Sequence, residues 1–339
     1  VGPETASSGA GVVDEMVRVA PGDAVRPLVG WYSGYRQAGV PPMRHRGLPS
    51  PFMTLILTID DPLTVLAHPD PGQAPGDFRL LLGGLHTAPA LIAHEGQQSG
   101  VQIALSPLAA RAVLGMPAGE LAETDVAADD VLGHAIVDAQ ERLRAAEDWP
   151  ARFAAVDEWL VAVAAKNAER ADAAIPAELT HAWQLLRRSG GTLPIADLAE
   201  ELGWSARRLS GRFTAEFGLT PKAAARVFRF DRARRRLTDR ARSGPIDLWP
   251  DADSRRGSEA GRRLGGSRSG HGPRPGSEPE RGPGPGPARG LGLAELAVDV
   301  GYYDQAHLDR EFNALAGCPP VRWLAEEFRN IQSGAHPGE

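Results

Sequence analysis

The C-terminal part of the chain carries one short helical pattern twice. The first copy lies in residues 195–230, IADLAEELGWSARRLSGRFTAEFGLTPKAAARVFRF, and the second in residues 293–320, LAELAVDVGYYDQAHLDREFNALAGCPP. In the first, Ile195, Leu198, Ala199 and Leu202 recur at helical spacing, which predicts one apolar face. Gly203 follows where a left-handed residue ends a helix. Ser205 stands where an N-cap belongs, able to accept from a free amide of the next turn. Leu209, Phe213 and Phe217 then share a face, Gly218 closes the helix, and Pro221 opens another. The second copy repeats Leu198, Ala199, Gly203, Phe213, Gly218 and Pro221 as Leu296, Ala297, Gly301, Phe312, Gly317 and Pro320, with one extra residue between its first glycine and its phenylalanine. A single copy is equally readable as an ordinary helical hairpin.

Two such units, differing by one residue, resemble the paired helix-turn-helix domain of the AraC/XylS family of transcriptional regulators. The resemblance covers roughly a quarter of the chain. It implies a sequence-specific regulator that places two recognition helices in neighbouring major grooves of double-stranded DNA. The first recognition helix is 206–216. By position on it, Arg207, Arg208, Ser210 and Gly211 face the groove, the arginines suited to guanine O6 and N7. Arg212, Lys222 and Arg226 are phosphate candidates. The second helix offers Gln305, His307, Asp309 and Arg310. Asp309 and Glu311 are unfavourable near phosphates, although Glu311 can instead pair with a neighbouring arginine. Leu209, Phe213, Leu308, Phe312 and Trp323 are expected in the core. Residues 220–240 form the helix between the two heads; from 221 to 237 it spans about 25 Å, against about 34 Å between successive grooves on one face of a duplex. Its Lys222, Arg226, Arg229, Arg232 and Arg234 to Arg236 are expected in solvent.

Charge is distributed to match. The net charge of −6 is a poor signature for a DNA binder, but residues 1–175 carry −10, 176–240 carry +6, 241–290 carry +3 and 291–339 carry −5. The surface a phosphate backbone requires thus falls on the first head and the helix after it, while the second head is acidic. The single cysteine, Cys318, excludes an internal disulfide framework and fits a reducing cytosol; a small buried residue explains it better than a redox sensor. No apolar run reaches the length of a membrane helix, and no signal peptide is seen, so a cytoplasmic location is expected.

The N-terminal part reads as β structure. After a loose tail at 1–20, strand candidates fall at 25–35, 52–59, 63–67, 78–82, 90–94 and 100–105, short and separated by Pro, Gly and Asp. The fold class expected is α+β in two domains. A small cupin-like β-barrel for effector binding or dimerisation, at 21–110, leads through a helical connector at 111–172 to an all-α domain with two helix-turn-helix units, at 176–240 and 291–330. Helices are expected from Ser106 and Pro107, at 129–146, at 150–167 and at 176–188. The apolar stripe of 150–167 packs either on the barrel or on a sister subunit. Trp31, Tyr32 and Tyr35 form core or line an effector cavity. His45, His68, His86 and His94 lack the paired spacing of a metal site, and no nucleophile elbow, P-loop or dinucleotide glycine pattern occurs. No enzyme activity, metal or cofactor is expected. The partners implied are DNA, a small-molecule effector, a second copy of the chain and RNA polymerase.

Residues 241–290 depart from the family pattern. They include 12 Gly, 9 Arg, 8 Pro and 6 Ser, and cannot bury enough apolar surface to offset their ordering entropy; disorder is expected. A natural low-complexity insertion and a pair of compensating frameshifts in a GC-rich gene both account for the composition. A tether of that length spans on the order of 40 Å and predicts loosely coupled heads. Two other functional readings remain open from the sequence: a cupin-like small-molecule-binding protein or enzyme that does not bind DNA, and a non-functional product of a damaged frame.

Overall fold

The computed structural model describes residues 11–169, 174–243 and 292–332. The first ten residues of the expected tail, and nearly all of the expected disordered insertion, lie outside the described residues. The fold is mixed α and β, with sheets in the N-terminal half and helices in the C-terminal half.

Among the described residues, ten strands build two sheets rather than a closed barrel. They are β1 (Val13–Val19), β2 (Val29–Ala38), β3 (Met43–Gly47), β4 (Met53–Thr58), β5 (Leu63–Ala67), β6 (Gly76–Phe78), β7 (Leu80–Gly83), β8 (Ala90–His94), β9 (Gln97–Leu105) and β10 (Asp125–Ala127). One sheet runs β1-β2-β9-β4-β7-β10 and the other β3-β8-β5-β6. The expected barrel is therefore corrected to an open sandwich, and the expected tail to strand β1 over Val13–Val19. The chain changes sheets at Arg79. Phe78 pairs with Leu63 in the small sheet, and Leu80 pairs with Leu57 in the large one. That crossing splits the strand expected at 78–82. The Arg79 carbonyl accepts from Thr58 N at 3.0 Å and from the buried Gln140 Nε2 at 2.9 Å, so the switch leaves no buried acceptor unmet.

Helices cover one face of the large sheet. Gly133, at φ 66°, breaks the expected 129–146 helix into α2 (Ala128–Leu132) and α3 (His134–Ala145), after a short α1 (Ala110–Leu114). Helix α4 (Trp149–Ala168) is capped by Asp148, whose carboxylate accepts from Ala151 N. Its stripe packs on this chain's own sheet. Tyr32 stacks on Phe153 at 5.7 Å and donates to Asp157, and a Cβ at Gly34 would sit 2.4 Å from Trp149. Tyr32 is core, whereas Trp31 and Tyr35 are half-buried. The two sheets meet through a much smaller cluster of Ile56, Leu63, Val65, Leu81 and Ile92.

The C-terminal half has α5 (Ala177–Arg188), α6 (Ile195–Glu201), α7 (Ala206–Phe217), α8 (Pro221–Ser243), α9 (Leu293–Asp299), α10 (Gln305–Ala316) and α11 (Pro320–Gln332). Trp183 of α5 gathers Phe213, Phe217 and Phe228 at 5.9, 4.7 and 5.1 Å. Two residues along α8, Phe230 meets Phe312 at 4.9 Å, and Phe312 meets Trp323 at 5.6 Å. Helix α8 thus supplies one ring to each head. Cys318 is buried in the turn before α11.

Candidate nucleic-acid interface

Helices α6 and α7 form the first head. Gly203, at φ 62°, makes the turn, and Ser205 caps α7 by accepting from Arg208 N at 3.2 Å. The cap fixes which way the first turn faces. With Leu209 and Phe213 buried below, Arg207, Arg208, Gly211 and Arg212 are exposed and Ser210 is half-buried. The Arg208 guanidinium lies 4.5 Å from the Trp204 ring, within cation–π reach. No atom lies within 4 Å of where a Gly211 Cβ would be, so the glycine leaves an open surface rather than filling a packing need. Lys222, in the first turn of α8, is exposed.

The second head, α9 and α10, repeats this geometry with one difference. Cap and core phenylalanine are equally spaced in both, Ser205 to Phe213 and Asp304 to Phe312, and Asp304 accepts from His307 N at 2.7 Å. The extra residue therefore sits in the turn, as Tyr303, which is 88% exposed. Gln305 and Arg310 are exposed. His307 is half-buried, edge-on to Tyr302 at 5.2 Å. Burial raises the Asp309 carboxyl above its ordinary range, and a hydrogen bond from Gln305 opposes that. Trp204 and Tyr303 were not singled out in the sequence, although both occupy the one stretch where the copies differ in length.

One expected phosphate candidate has a partner within the chain. Arg226 is half-buried and donates through Nε to Glu311 at 2.8 Å, which joins α8 to α10. Glu311 has found its neighbouring arginine. Arg229, Arg232 and Arg234 are also half-buried, not solvated: Arg229 donates to the Gly191 carbonyl, and Arg234 pairs with the buried Asp231. Arg236 reaches Asp299 at 3.4 Å. These contacts, with the two phenylalanines, hold the heads on one helix whatever the length of chain between them.

The first head touches the N-terminal half at the C-terminal end of α7, and the second at Gly317, just past α10, and at α11. Arg111 of α1 makes a two-pronged pair with Glu216 of α7, both bonds 2.8 Å, and the Glu216 side chain is 5% exposed. A Cβ on Gly119 would lie 2.4 Å from the Ala215 carbonyl oxygen, and one on Gly218 would lie 2.4 Å from Ala122. At the second head, Arg46 pairs with Glu326 of α11. The N-terminal ends of α7 and α10, which carry the groove candidates, lie away from these contacts.

His68 pairs with Asp125 at 2.7 Å, His86 meets the Ala88 carbonyl, and His45 and His94 lie 6.5 Å apart. Burial, with His94 beside it, pushes His45 down to about 4. Among the described residues no three His, Cys, Asp or Glu side chains gather as a metal set, and no helix is long and apolar enough to cross a membrane. A groove of about 430 Å³ lies beside the small sheet, lined by Arg44, Thr64, Leu66, Ala93 and His94.

A family described as a domain of unknown function (DUF6597) matches residues 17–127, a span that ends before the C-terminal helices. No curated protein matches the chain. Among solved structures, ToxT from Vibrio cholerae O395 is similar over 87% of this chain and 96% of its own, at 9% identity and a TM-score of 0.43. Unsaturated-fatty-acid-bound ToxT from V. cholerae strain SCE256 is similar over 93% of this chain and 95% of its own, at 8% identity and 0.41. The AraC-like transcriptional activator CuxR is similar over 70% of this chain and 84% of its own, at 18% identity and 0.28.

Proposed function

We propose that this chain is a cytoplasmic, non-enzymatic transcription regulator of AraC type that binds double-stranded DNA through two helix-turn-helix heads. One observation carries the reading. Two helices with the same cap-to-core spacing are fixed to a shared helix α8, and the first presents Arg207 and Arg208 from an exposed, capped first turn. Helix α7 enters one major groove with Arg207, Arg208 and Ser210 toward base edges and Gly211 allowing close approach. Arg212 and Lys222 take phosphates. Helix α10 enters the next groove with Gln305, His307, Asp309 and Arg310, and Tyr303 stands at its rim. The N-terminal half takes a small-molecule effector and carries the homodimer contact, and its pairing with α7 through Arg111 and Glu216 gives it a handle on the first head. RNA polymerase is the candidate protein partner.

The test is retention on the DNA upstream of the gene, measured across salt. Specific binding should fall steeply with salt as counterions are released. Arg207→Ala with Arg208→Ala should weaken it about a hundredfold or more, since each bidentate arginine contributes ~1–3 kcal/mol of discrimination. Unchanged retention by that double variant would sink the reading.

A further inference from the structure

The two sheets leave four edges. β10 and β6 are three residues long, and β3 is five, with Arg46 tied to Glu326. β1 is different. It has seven residues and pairs with β2 from Val13↔Ala38 to Val19↔Tyr32 without a bulge. It contains no Pro or Lys, and no strand lies on its other side among the described residues. Short strands, bulges, Pro and charged side chains, Lys above all, are how sheet edges are usually protected from pairing; of these β1 has only the charges of Asp14, Glu15 and Arg18. None of its residues is buried, and Met16 is 67% exposed.

The side chains alternate. Val17 and Val19 pack toward the core under α4, and Glu15 accepts from Trp149. On the opposite face Asp14 sits beside Gln37, Met16 opposite Tyr35, and Arg18 over the Trp31 ring at 4.1 Å. Oppositely charged residues thus flank an exposed methionine at equal distances along the strand.

We infer that β1 is a dimer edge, at which a second copy of the chain adds its own β1 antiparallel with Met16 opposite Met16. A two-fold axis normal to the sheet keeps the faces in common, so only residues of equal parity can oppose one another. Centring on residue 15 would set Glu15 against Glu15. Centring on 17 would set Arg18 against Met16 and leave Asp14 against Ala20. Centring on 16 sets Asp14 against Arg18 twice, and Val13 against Val19 on the helix-covered face. Opposite charges across a strand pair stabilise it and like charges oppose it, which selects this register. The two large sheets then run on as one. The inference stands whether or not the heads read DNA.

The experiment is sedimentation of the full chain over the micromolar range, without DNA. The wild-type chain should form a dimer. Asp14→Arg alone and Arg18→Asp alone should each weaken it about tenfold or more, because each sets like charges across the edge twice. The double variant Asp14→Arg with Arg18→Asp should recover the dimer. An equimolar mixture of the two single variants should also dimerise, since each chain carries the charge that its partner lacks; this result cannot come from misfolded protein. A wild-type monomer throughout the range would overturn the proposal. So would a dimer indifferent to the single substitutions, which would place the contact on another face, or single variants that neither the double variant nor the mixture rescues.

Discussion

The two heads share a backbone plan and differ in almost every side chain that matters for a polyanion. Aligned on their caps, Ala206, Arg207, Arg208, Ser210, Gly211 and Arg212 in the first become Gln305, Ala306, His307, Asp309, Arg310 and Glu311 in the second. Three arginines give way to one arginine and two acids. The anchoring differs as well. Glu216 of the first head, at the position of Leu315 in the second, binds Arg111 of the N-terminal half, whereas Glu311, at the position of Arg212, binds Arg226 of α8. The first head is tied to the sandwich, and under the proposed function it is the one that attracts DNA. The second is tied to α8 and, through Arg46 and Glu326, to the sandwich as well; under the same proposal it contributes selectivity more than attraction.

The comparison breaks most sharply at the cores. Phe213 and Phe312 are both fully buried, and truncating either to Ala should cost ~3–5 kcal/mol. The consequences should differ. Phe312 is the ring that seats the second head on Phe230, so Phe312→Ala should split calorimetric unfolding into two transitions. Phe213→Ala should lower the main transition without splitting it. One cooperative transition in both would mean that α8 is not where the heads meet.

The next effect belongs to the first head alone. Replacing Glu216 by the leucine that the second head carries leaves Arg111 without its carboxylate in a largely buried setting, and should cost about 3 kcal/mol in urea unfolding. Arg111→Leu with Glu216→Leu should restore most of that, because a well-packed apolar pair avoids the desolvation of both charges. If the single change proves neutral, this contact does not hold α7 to the sandwich.

How much of this was legible depends on the range of the forces involved. Helix α7 was expected at 206–216 and runs Ala206–Phe217, because its cap, apolar spacing and closing glycine are all local. Strands 63–67 and 90–94 also match, being apolar runs between turn residues. What failed was non-local. β1, VDEMVRV, mixes three charges with its valines, and its strand character comes from pairing with β2. β3, MRHRG, has no apolar run at all. Whether a sheet closes depends on what Arg79 does between two partners far away in the chain. The exposure of Arg207 and Arg208 followed from helical position. The diversion of Arg226 did not, because Glu311 lies 85 residues further along. For the same reason the length between the heads suggested loose coupling, whereas their shared contacts with α8 couple them directly.

That diversion gives a smaller prediction. Glu311→Gln removes the charge that holds Arg226, which lies 31% exposed, and frees a cation beside the proposed DNA surface. Non-specific DNA affinity at low salt should rise severalfold, and the slope of log affinity against log salt should steepen by about one. The matched change in the first head, Arg212→Gln, should shift the slope the other way by a similar amount. An unaltered slope in Glu311→Gln would show that Arg226 points away from phosphate even when released.

The smallest effect separates the heads by pH. Asp309 has its carboxyl raised by burial, and Ser210 stands at its place in the first head. A carboxyl that is raised in the folded chain keeps its proton to higher pH than in the unfolded chain. Stability therefore falls as pH climbs from the ordinary carboxylate range through the raised value, opposite to the usual salt-bridged aspartate. As pH is lowered through the same window, the second head sheds a negative charge at its groove surface, and DNA retention should improve on the order of twofold from that charge alone. Asp309→Asn should hold the improved retention at neutral pH and flatten the response. Ser210→Asp should give the first head an acidic response that it lacks, with weaker retention at neutral pH. If Asp309→Asn leaves both retention and its pH dependence as they were, Asp309 does not face the duplex, and the contrast between the heads narrows to the arginines of α7.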